Sequence, residues 1–133
     1  MNARGGEVRT PPHSIEAEQS VLGGLLLDSS AWDNVADAVR SADFYRPDHA
    51  ALFALLGEMS AAGDPIEPVT VQERVCRGRA GLHSHPADRY GGIAYVVELP
   101  DQAPSTANLD YYARRIALLA RLRRAGWAAW GAV

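Results

Sequence analysis

The histidines of one polar stretch are the side chains whose spacing most directly suggests chemistry. His83 and His85 lie two residues apart and are followed by Asp88. Imidazole and carboxylate groups can bind a metal ion, but zinc requires at least three converging protein ligands. The single cysteine, Cys76, excludes an internal disulfide and a cysteine-based zinc cluster. No metal site is therefore expected.

The sequence evidence for a catalytic site is as weak as that for a metal site. Glu16 and Glu18 project from different sides of a predicted helix, so they do not form a buried carboxylate pair. His13 and His49 each lie near a predicted helix start, where a structural role is expected. All 13 basic residues are arginine, whereas a phosphate-binding P-loop requires a lysine. The chain alone is therefore not expected to be an enzyme or to bind a cofactor.

Arginine is concentrated near the C-terminal end. The formal net charge is −3, yet all 16 acidic residues lie at or before Asp110, and residues 111–133 hold five arginines. This asymmetry suggests a contact surface for an acidic partner or for phosphate. The alternative is a solvated helix face whose arginine stems cover apolar neighbours. DNA contact is disfavoured, because the acidic body repels phosphate. The predicted basic face comprises Arg114, Arg115, Arg121 and Arg124.

The elements that position these residues are predicted to be helices, giving an all-α fold. Alanine is abundant, and apolar residues recur at spacings of three and four. Residues 1–12 are predicted to be a flexible tail, residues 13–104 a compact multi-helix domain, and residues 105–133 a long C-terminal helix. A strand at residues 93–99 is the alternative by propensity, but no partner strand is visible. The pair Gly23 and Gly24 indicates close approach of another backbone.

The last predicted helix carries more apolar surface than one side of a small domain needs. Apolar residues along one side of this helix approximate a heptad pattern, and Leu118 and Leu122 form a second apolar stripe beside them. A helix with two apolar faces usually packs on two partners, so a second subunit is expected to cover one of them. Aromatic and arginine enrichment fits such a contact. The predicted partner interface comprises Tyr112, Ile116, Leu119, Arg123, Trp127 and Trp130.

Five segments resemble, in the right order, the N-terminal domain of the bacterial replicative DNA helicase of the DnaB type. The resemblance covers residues 11–125, and the first two segments together carry most of its specificity. The segments are PPHSIEAEQSVLGGLLLD (11–28), DFYRPDHAALFALL (43–56), GDPIEPVTV (63–71), YGGIAYVVEL (90–99) and PSTANLDYYARRI (104–116).

The resemblance implies an all-helical domain followed by a helical hairpin, with the C-terminal helix as the first arm of that hairpin. In this family the hairpins pair between subunits, and the domains form a collar of three dimers on a ring of RecA-type ATPase domains. The expected partners are other helicase subunits, the C-terminal domain of primase, and helicase loaders. ATP and magnesium are implied only for the ATPase domain, which this sequence lacks. A cytoplasmic location without membrane contact is expected.

Two stretches depart from the family pattern. They are residues 77–89, which include both loop histidines, and the final AGWAAWGAV. Two alternative functions therefore stay open. One is a truncated regulator that pairs with helicase subunits, and the other is a small nucleic-acid-binding protein that uses the basic helix. The sequence does not distinguish a fragment, a truncated gene and a natural stand-alone protein.

Overall fold

The fold is taken from a computed structural model that describes residues 10–77 and 86–126. Within these ranges the chain forms six α-helices and no strand, which confirms the predicted all-α class and the helical interpretation of residues 93–99. Short 3-10 turns occupy Ser29–Ala31, Ser41–Asp43 and Pro86–Tyr90. The helices are α1 (Ile15–Leu27), α2 (Trp32–Ala38), α3 (Pro47–Ala62), α4 (Pro68–Arg77), α5 (Ile93–Gln102) and α6 (Leu109–Arg124).

Helix α1 lies at the centre of the domain. It begins after Ser14, whose hydroxyl accepts a hydrogen bond from the backbone N–H of Ala17 at 3.2 Å, as an N-cap should. Most of its residues are buried. A central helix of this kind is apolar on nearly all sides, because neighbours cover it in several directions.

The glycine pair in α1 explains how closely α5 and α6 approach. A Cβ on Gly23 would overlap the backbone carbonyl of Leu99 in α5. A Cβ on Gly24 would overlap the side chain of Leu109 at the start of α6. The predicted close approach is therefore confirmed, and it involves one backbone and one leucine side chain.

The directions of α5 and α6 follow from their contacts with α1. Gln19 hydrogen-bonds Tyr95, and Gly23, one turn later, meets Leu99, so α5 runs parallel to α1. At the far end of α6, Arg123 reaches the carbonyl of Pro12, just before α1 begins. Helix α6 therefore runs antiparallel to α1.

Helix α3 closes the other side of the core. It begins at Pro47, which suits a first helical position, and ends at Gly63, whose φ of 79° is the left-handed conformation typical of a C-cap. Leu52, Leu56 and Met59 are at most 1% exposed. The ring of Trp32 in α2 packs on α3, with its centroid 5.1 Å from that of Phe53.

Helix α6 shares the buried core of the preceding helices. Leu109 and Ile116, which follow the boundary predicted between residues 104 and 105, belong to the same buried cluster as the residues of α1 and α3. The helix also begins later than predicted, at Leu109. Of the predicted tail, residues 1–9 lie outside the described ranges, and Pro12 is held by α6.

Across the described residues, no helix combines the length and apolar character needed to cross a bilayer.

Candidate protein–protein interface

The inner face of α6 is occupied by the domain itself. Leu109, Ala113, Ile116 and Ala120 recur at spacings of three and four and are at most 2% exposed. Ile116 is therefore not available to a partner, which corrects its place in the predicted interface. The physical reason is that this stripe packs on the body of the domain, where Leu109 lies against Gly24 of α1.

Three further predicted interface residues are also partly used within the chain. Tyr112 and Leu119 are half-buried, and Tyr112 packs against the core. Arg123 donates to the backbone carbonyls of Pro12 and Asp43, both at 2.7 Å, and its guanidinium lies 5.5 Å from the ring centroid of Tyr45. Arg123 thus links α6 to Pro12 before α1 and to Asp43 in the second 3-10 turn, and we call these contacts the clasp. Trp127 and Trp130 lie outside the described residues, as do His83 and His85.

The opposite face of α6 presents large apolar side chains to solvent. Tyr111, Leu118 and Leu122 are 53%, 43% and 50% exposed, respectively. Their spacings of seven and four place them on one side of the helix. We call these three residues the outward stripe. Exposed apolar surface of this kind is typical of a contact with another protein, and the outward stripe is therefore the candidate interface.

The predicted basic face divides into two groups. Arg114 pairs with Asp110 one turn earlier at 3.0 Å, which lowers the pKa of that carboxyl. Arg124 pairs with Asp43, a buried carboxylate in the second 3-10 turn. Arg115 and Arg121 are exposed beside the outward stripe. Two of the four arginines thus serve ion pairs of the chain, and two flank the candidate interface.

A network of buried polar side chains lies in the core of the domain, and it was not predicted from the sequence. Glu18 and His49 are both 1% exposed. His49 Nδ1 lies 2.7 Å from Glu18 Oε1, and His49 Nε2 lies 2.7 Å from the hydroxyl of Tyr95. That hydroxyl also accepts from Gln19 Nε2 at 3.0 Å. The network therefore joins α1, α3 and α5.

Backbone groups complete the network. The N–H groups of Tyr45 and Arg46 donate to the Glu18 carboxylate at 2.7 and 3.4 Å. Each buried oxygen of Glu18 therefore has a partner, as a charged group in an interior requires. Because Glu18 and His49 are sealed from solvent, they position helices and do not face a substrate. This agrees with the structural role expected for His49.

The signal for the network was present in the sequence. Glu18 lies on the same helical stripe as Val21, Leu22 and Leu25, so a carboxylate occupies an apolar face. His49 likewise shares a stripe with Leu52, Phe53 and Leu56. For predicting a buried polar residue, its position on an apolar helical stripe is more informative than its distance from the start of the helix.

A second ion pair borders the network at its exposed edge. Arg46 donates through Nε to Asp48 Oδ1 at 2.9 Å and through a terminal nitrogen to Oδ2, and it lies 5.0 Å from the ring centroid of Tyr95. Burial acts to raise the pKa of Asp48, but the hydrogen bond from Arg46, its positive charge and the N–H of His49 lower it more. The net pKa of Asp48 is below its ordinary value, and that of Arg46 is raised.

Comparison with known proteins identifies the fold. Residues 10–117 match the family described as DnaB-like helicase N terminal domain. The chain is similar to the crystal structure of the N-terminal domain of DnaB helicase from Mycobacterium tuberculosis, with a TM-score of 0.78 and 38% identity. That comparison covers 92% of this chain and 84% of the other.

Curated relatives agree. The chain is 37% identical over 116 residues to the replicative DNA helicase DnaB of Geobacillus stearothermophilus, covering 87% of this chain and 24% of that protein. It is 40% identical over 116 residues to the same-named protein of Mycobacterium leprae, covering 87% and 18%. The chain thus spans about a quarter or less of these relatives. Because the family match extends over most of its length, the chain belongs to the family of DnaB-like helicase N-terminal domains.

Proposed function

We propose that this chain acts in DNA replication, in the cytoplasm, as an N-terminal oligomerisation and primase-interaction domain of a replicative DNA helicase. Its proposed partners are other helicase subunits, the C-terminal domain of primase, and helicase loaders. The observation that carries the proposal is the outward stripe, because a domain of this family leaves three large apolar side chains exposed on the face of α6 opposite its core. A subunit contact would remove that surface from water.

The proposed mechanism is helix packing without bond chemistry. Apolar contact along the outward stripe supplies affinity, while Arg115 and Arg121 set the orientation and the rate of association. ATP-driven unwinding is assigned to an ATPase domain of the complete helicase. The 133-residue sequence contains no lysine, so it cannot supply a P-loop of its own.

Subunit binding can be tested with one variant on α6 and one on α4. Leu118→Asp places a charge in the outward stripe, and we expect it to prevent the chain from co-purifying with full-length helicase subunits of the same organism. Val69→Asp is the matched control, because Val69 is 67% exposed on α4, away from α6. Equal co-purification of the two variants would contradict a subunit-binding role for α6.

Primase binding needs a separate experiment. The chain is titrated with the C-terminal domain of its cognate primase by calorimetry at low and high salt. We expect saturable binding that persists at high salt, since apolar contacts are not screened. Absence of heat and of any complex by sedimentation at both salt concentrations would contradict the primase part of the proposal.

Nucleic-acid binding is the weaker alternative. Arg114, Arg123 and Arg124 already bind groups of this chain, which leaves less positive charge for phosphate. Binding of a labelled single-stranded oligonucleotide that falls steeply with salt would favour this alternative over the scaffold role.

A further inference from the structure

The polar side chains of the buried network form a single row of hydrogen bonds. Glu18 contacts His49 through Nδ1, and Nε2 of the same ring contacts the hydroxyl of Tyr95. That hydroxyl in turn contacts the side-chain amide of Gln19. Glu18 and His49 are sealed from solvent. Tyr95 and Gln19 are half-buried, so the row, which we call the polar row, leads from the core to the surface.

Hydrogen-bond donors around Glu18 determine which ring nitrogen of His49 carries a proton. The backbone N–H groups of Tyr45 and Arg46 both donate to the Glu18 carboxylate. Donors of this kind stabilise a carboxylate, which has no proton of its own to give. The contact of 2.7 Å between Glu18 Oε1 and His49 Nδ1 is therefore a hydrogen bond that Nδ1 donates.

The opposite ring nitrogen of His49 accepts its hydrogen bond. Gln19 Nε2 donates to the Tyr95 hydroxyl at 3.0 Å, so that hydroxyl keeps its own proton for a further bond. His49 Nε2 lies 2.7 Å from the hydroxyl and is the acceptor of that bond. His49 is then a neutral imidazole with its proton on Nδ1, and each member of the polar row has a partner.

The polar row has a second arrangement that is equally complete. When both ring nitrogens of His49 carry protons, Nε2 donates to the oxygen of Tyr95. The Tyr95 proton then needs another acceptor, and Gln19 supplies one if its amide turns over and presents Oε1. A primary amide holds both a donor and an acceptor, so one rotation exchanges them. Two protonation states therefore fit one set of backbone positions.

The charged groups nearest His49 favour the second proton. Glu18 contacts the ring from α1, and Asp48 accepts from the backbone N–H of His49 at 2.8 Å. Arg46 is bound to Asp48 and lies over the ring of Tyr95, which belongs to α5. Two carboxylates thus face one guanidinium while His49 is neutral. A second proton on the imidazole balances this local charge.

The two 3-10 turns that pack on α3 do not alter this balance. Asp43 of the second turn is bound by Arg124. Asp88 and Arg89 of the third turn carry opposite charges and are exposed, so water and salt screen them. The response of His49 to pH is therefore determined mainly by the polar row and by the ion pair beside it.

We propose that the polar row is a proton relay, which lets the junction of α1, α3 and α5 take up a proton without losing a hydrogen bond. On acidification the Tyr95 hydroxyl passes its proton to His49 Nε2, and a proton from water replaces it on the hydroxyl. The new O–H bond points at the turned amide of Gln19. One proton enters in total, and His49 becomes an imidazolium paired with Glu18. The inference is independent of the proposed function, because it concerns the interior of a single chain.

Nitrogen-15 NMR of the histidine rings tests the proposed protonation states. After resonance assignment, the two ring nitrogens of His49 are distinguished as N–H or bare nitrogen. We expect a proton on Nδ1 and none on Nε2 at mildly alkaline pH. As the pH falls, Nε2 should gain a proton while circular dichroism shows unchanged helix content. A bare Nδ1 at alkaline pH, or loss of helix together with protonation of Nε2, would overturn the proposal.

Gln19→Glu tests whether the surface end of the row controls His49. A carboxylate at this position can only accept, so it holds the Tyr95 hydroxyl in the second arrangement. We expect the ratio of His49 rings with a protonated Nε2 to rings with a bare Nε2 to rise roughly tenfold at neutral pH. An unchanged ratio in a variant that retains its helices would refute the relay.

The direct attraction of the new charge for a proton is measured with Tyr95→Phe. This substitution removes the hydroxyl from the row, so Gln19→Glu acts on His49 only through space. In the Tyr95→Phe background we expect Gln19→Glu to raise the ratio roughly threefold or less. Gln19→Asp gives the same comparison with the hydroxyl in place, since its shorter side chain withdraws the carboxylate from Tyr95. A rise as large in these controls as in Gln19→Glu alone would show a purely electrostatic effect and overturn the relay.

Discussion

At the scale of single residues, the stability of this domain depends on polar groups as well as on apolar burial. Glu18 illustrates this, because one carboxylate joins His49 to the backbone of residues 45 and 46. A buried charge is tolerated only where its hydrogen bonds are complete. Removing a single acceptor therefore affects three segments at once.

We expect Glu18→Gln to lower the free energy of unfolding by about 2 kcal/mol. The amide keeps the shape but places an NH2 group where an oxygen had accepted a hydrogen bond. Urea unfolding followed by circular dichroism measures the loss. Glu16→Gln is the control, since Glu16 is exposed on the same helix turn, and its effect should stay within about 0.5 kcal/mol. Equal effects of the two substitutions would refute the role given to Glu18.

The Asp48–Arg46 pair predicts acid sensitivity. Because the pKa of Asp48 is lower in the folded chain than in the unfolded one, its carboxylate stabilises the fold above the unfolded pKa of about 4. This stabilisation is lost as the pH falls through the lower, folded pKa. The unfolding free energies of the wild type and Asp48→Asn should therefore approach each other as the pH falls from about 4 through the lower, folded pKa. A difference between the two unfolding free energies that is independent of pH would contradict the stabilising role given to the Asp48 carboxylate.

At the scale of elements, the two glycines of α1 determine how near its neighbours can come. We expect Gly23→Ala to destabilise the domain by about 1–3 kcal/mol, because the new Cβ overlaps the rigid carbonyl of Leu99. Gly57 in α3 is the matched control, since its Cβ would meet only Trp32 at 3.6 Å. Gly57→Ala should stabilise by about 0.5–1 kcal/mol through helix propensity. Thermal unfolding that ranks the two variants in the opposite order would contradict the packing described for α1.

The elements were largely predictable, but the face each one buries was not. Periodicity indicated an all-α fold, and Gly23 and Gly24 indicated close approach. For α6, the heptad seam placed Ile116 towards a partner, although it lies in the core. Spacing defines stripes on a helix but does not say which stripe packs against the rest of the domain. Glu18 was missed because it was assessed as a possible catalytic partner of Glu16, without reference to its apolar neighbours.

At the scale of the whole molecule, Arg123 joins segments that are distant in sequence. Its guanidinium connects α6 with Pro12 before α1 and with Asp43 before α3. We expect Arg123→Lys to lower the free energy of unfolding by about 1–2 kcal/mol. The planar guanidinium donates to both carbonyls at once, which the single ammonium group of lysine cannot do with the same geometry. Hydrogen exchange should accelerate at residues 10–14 and 123–126 in particular. Unchanged exchange there, with the same thermal stability, would contradict the clasp.

The clasp also has a mechanical consequence. Arg123 and Arg124 bind the body of the domain at the last turn of α6, through Pro12 and the turn at Asp43. Tension applied at the end of α6 therefore acts first on these two arginines, and it reaches the beginning of α1 and the turn before α3 together. We therefore expect α6 to resist such a load together with these two segments, and not to detach residue by residue. Torque or displacement at that end would be transmitted to the whole domain as a rigid-body rotation.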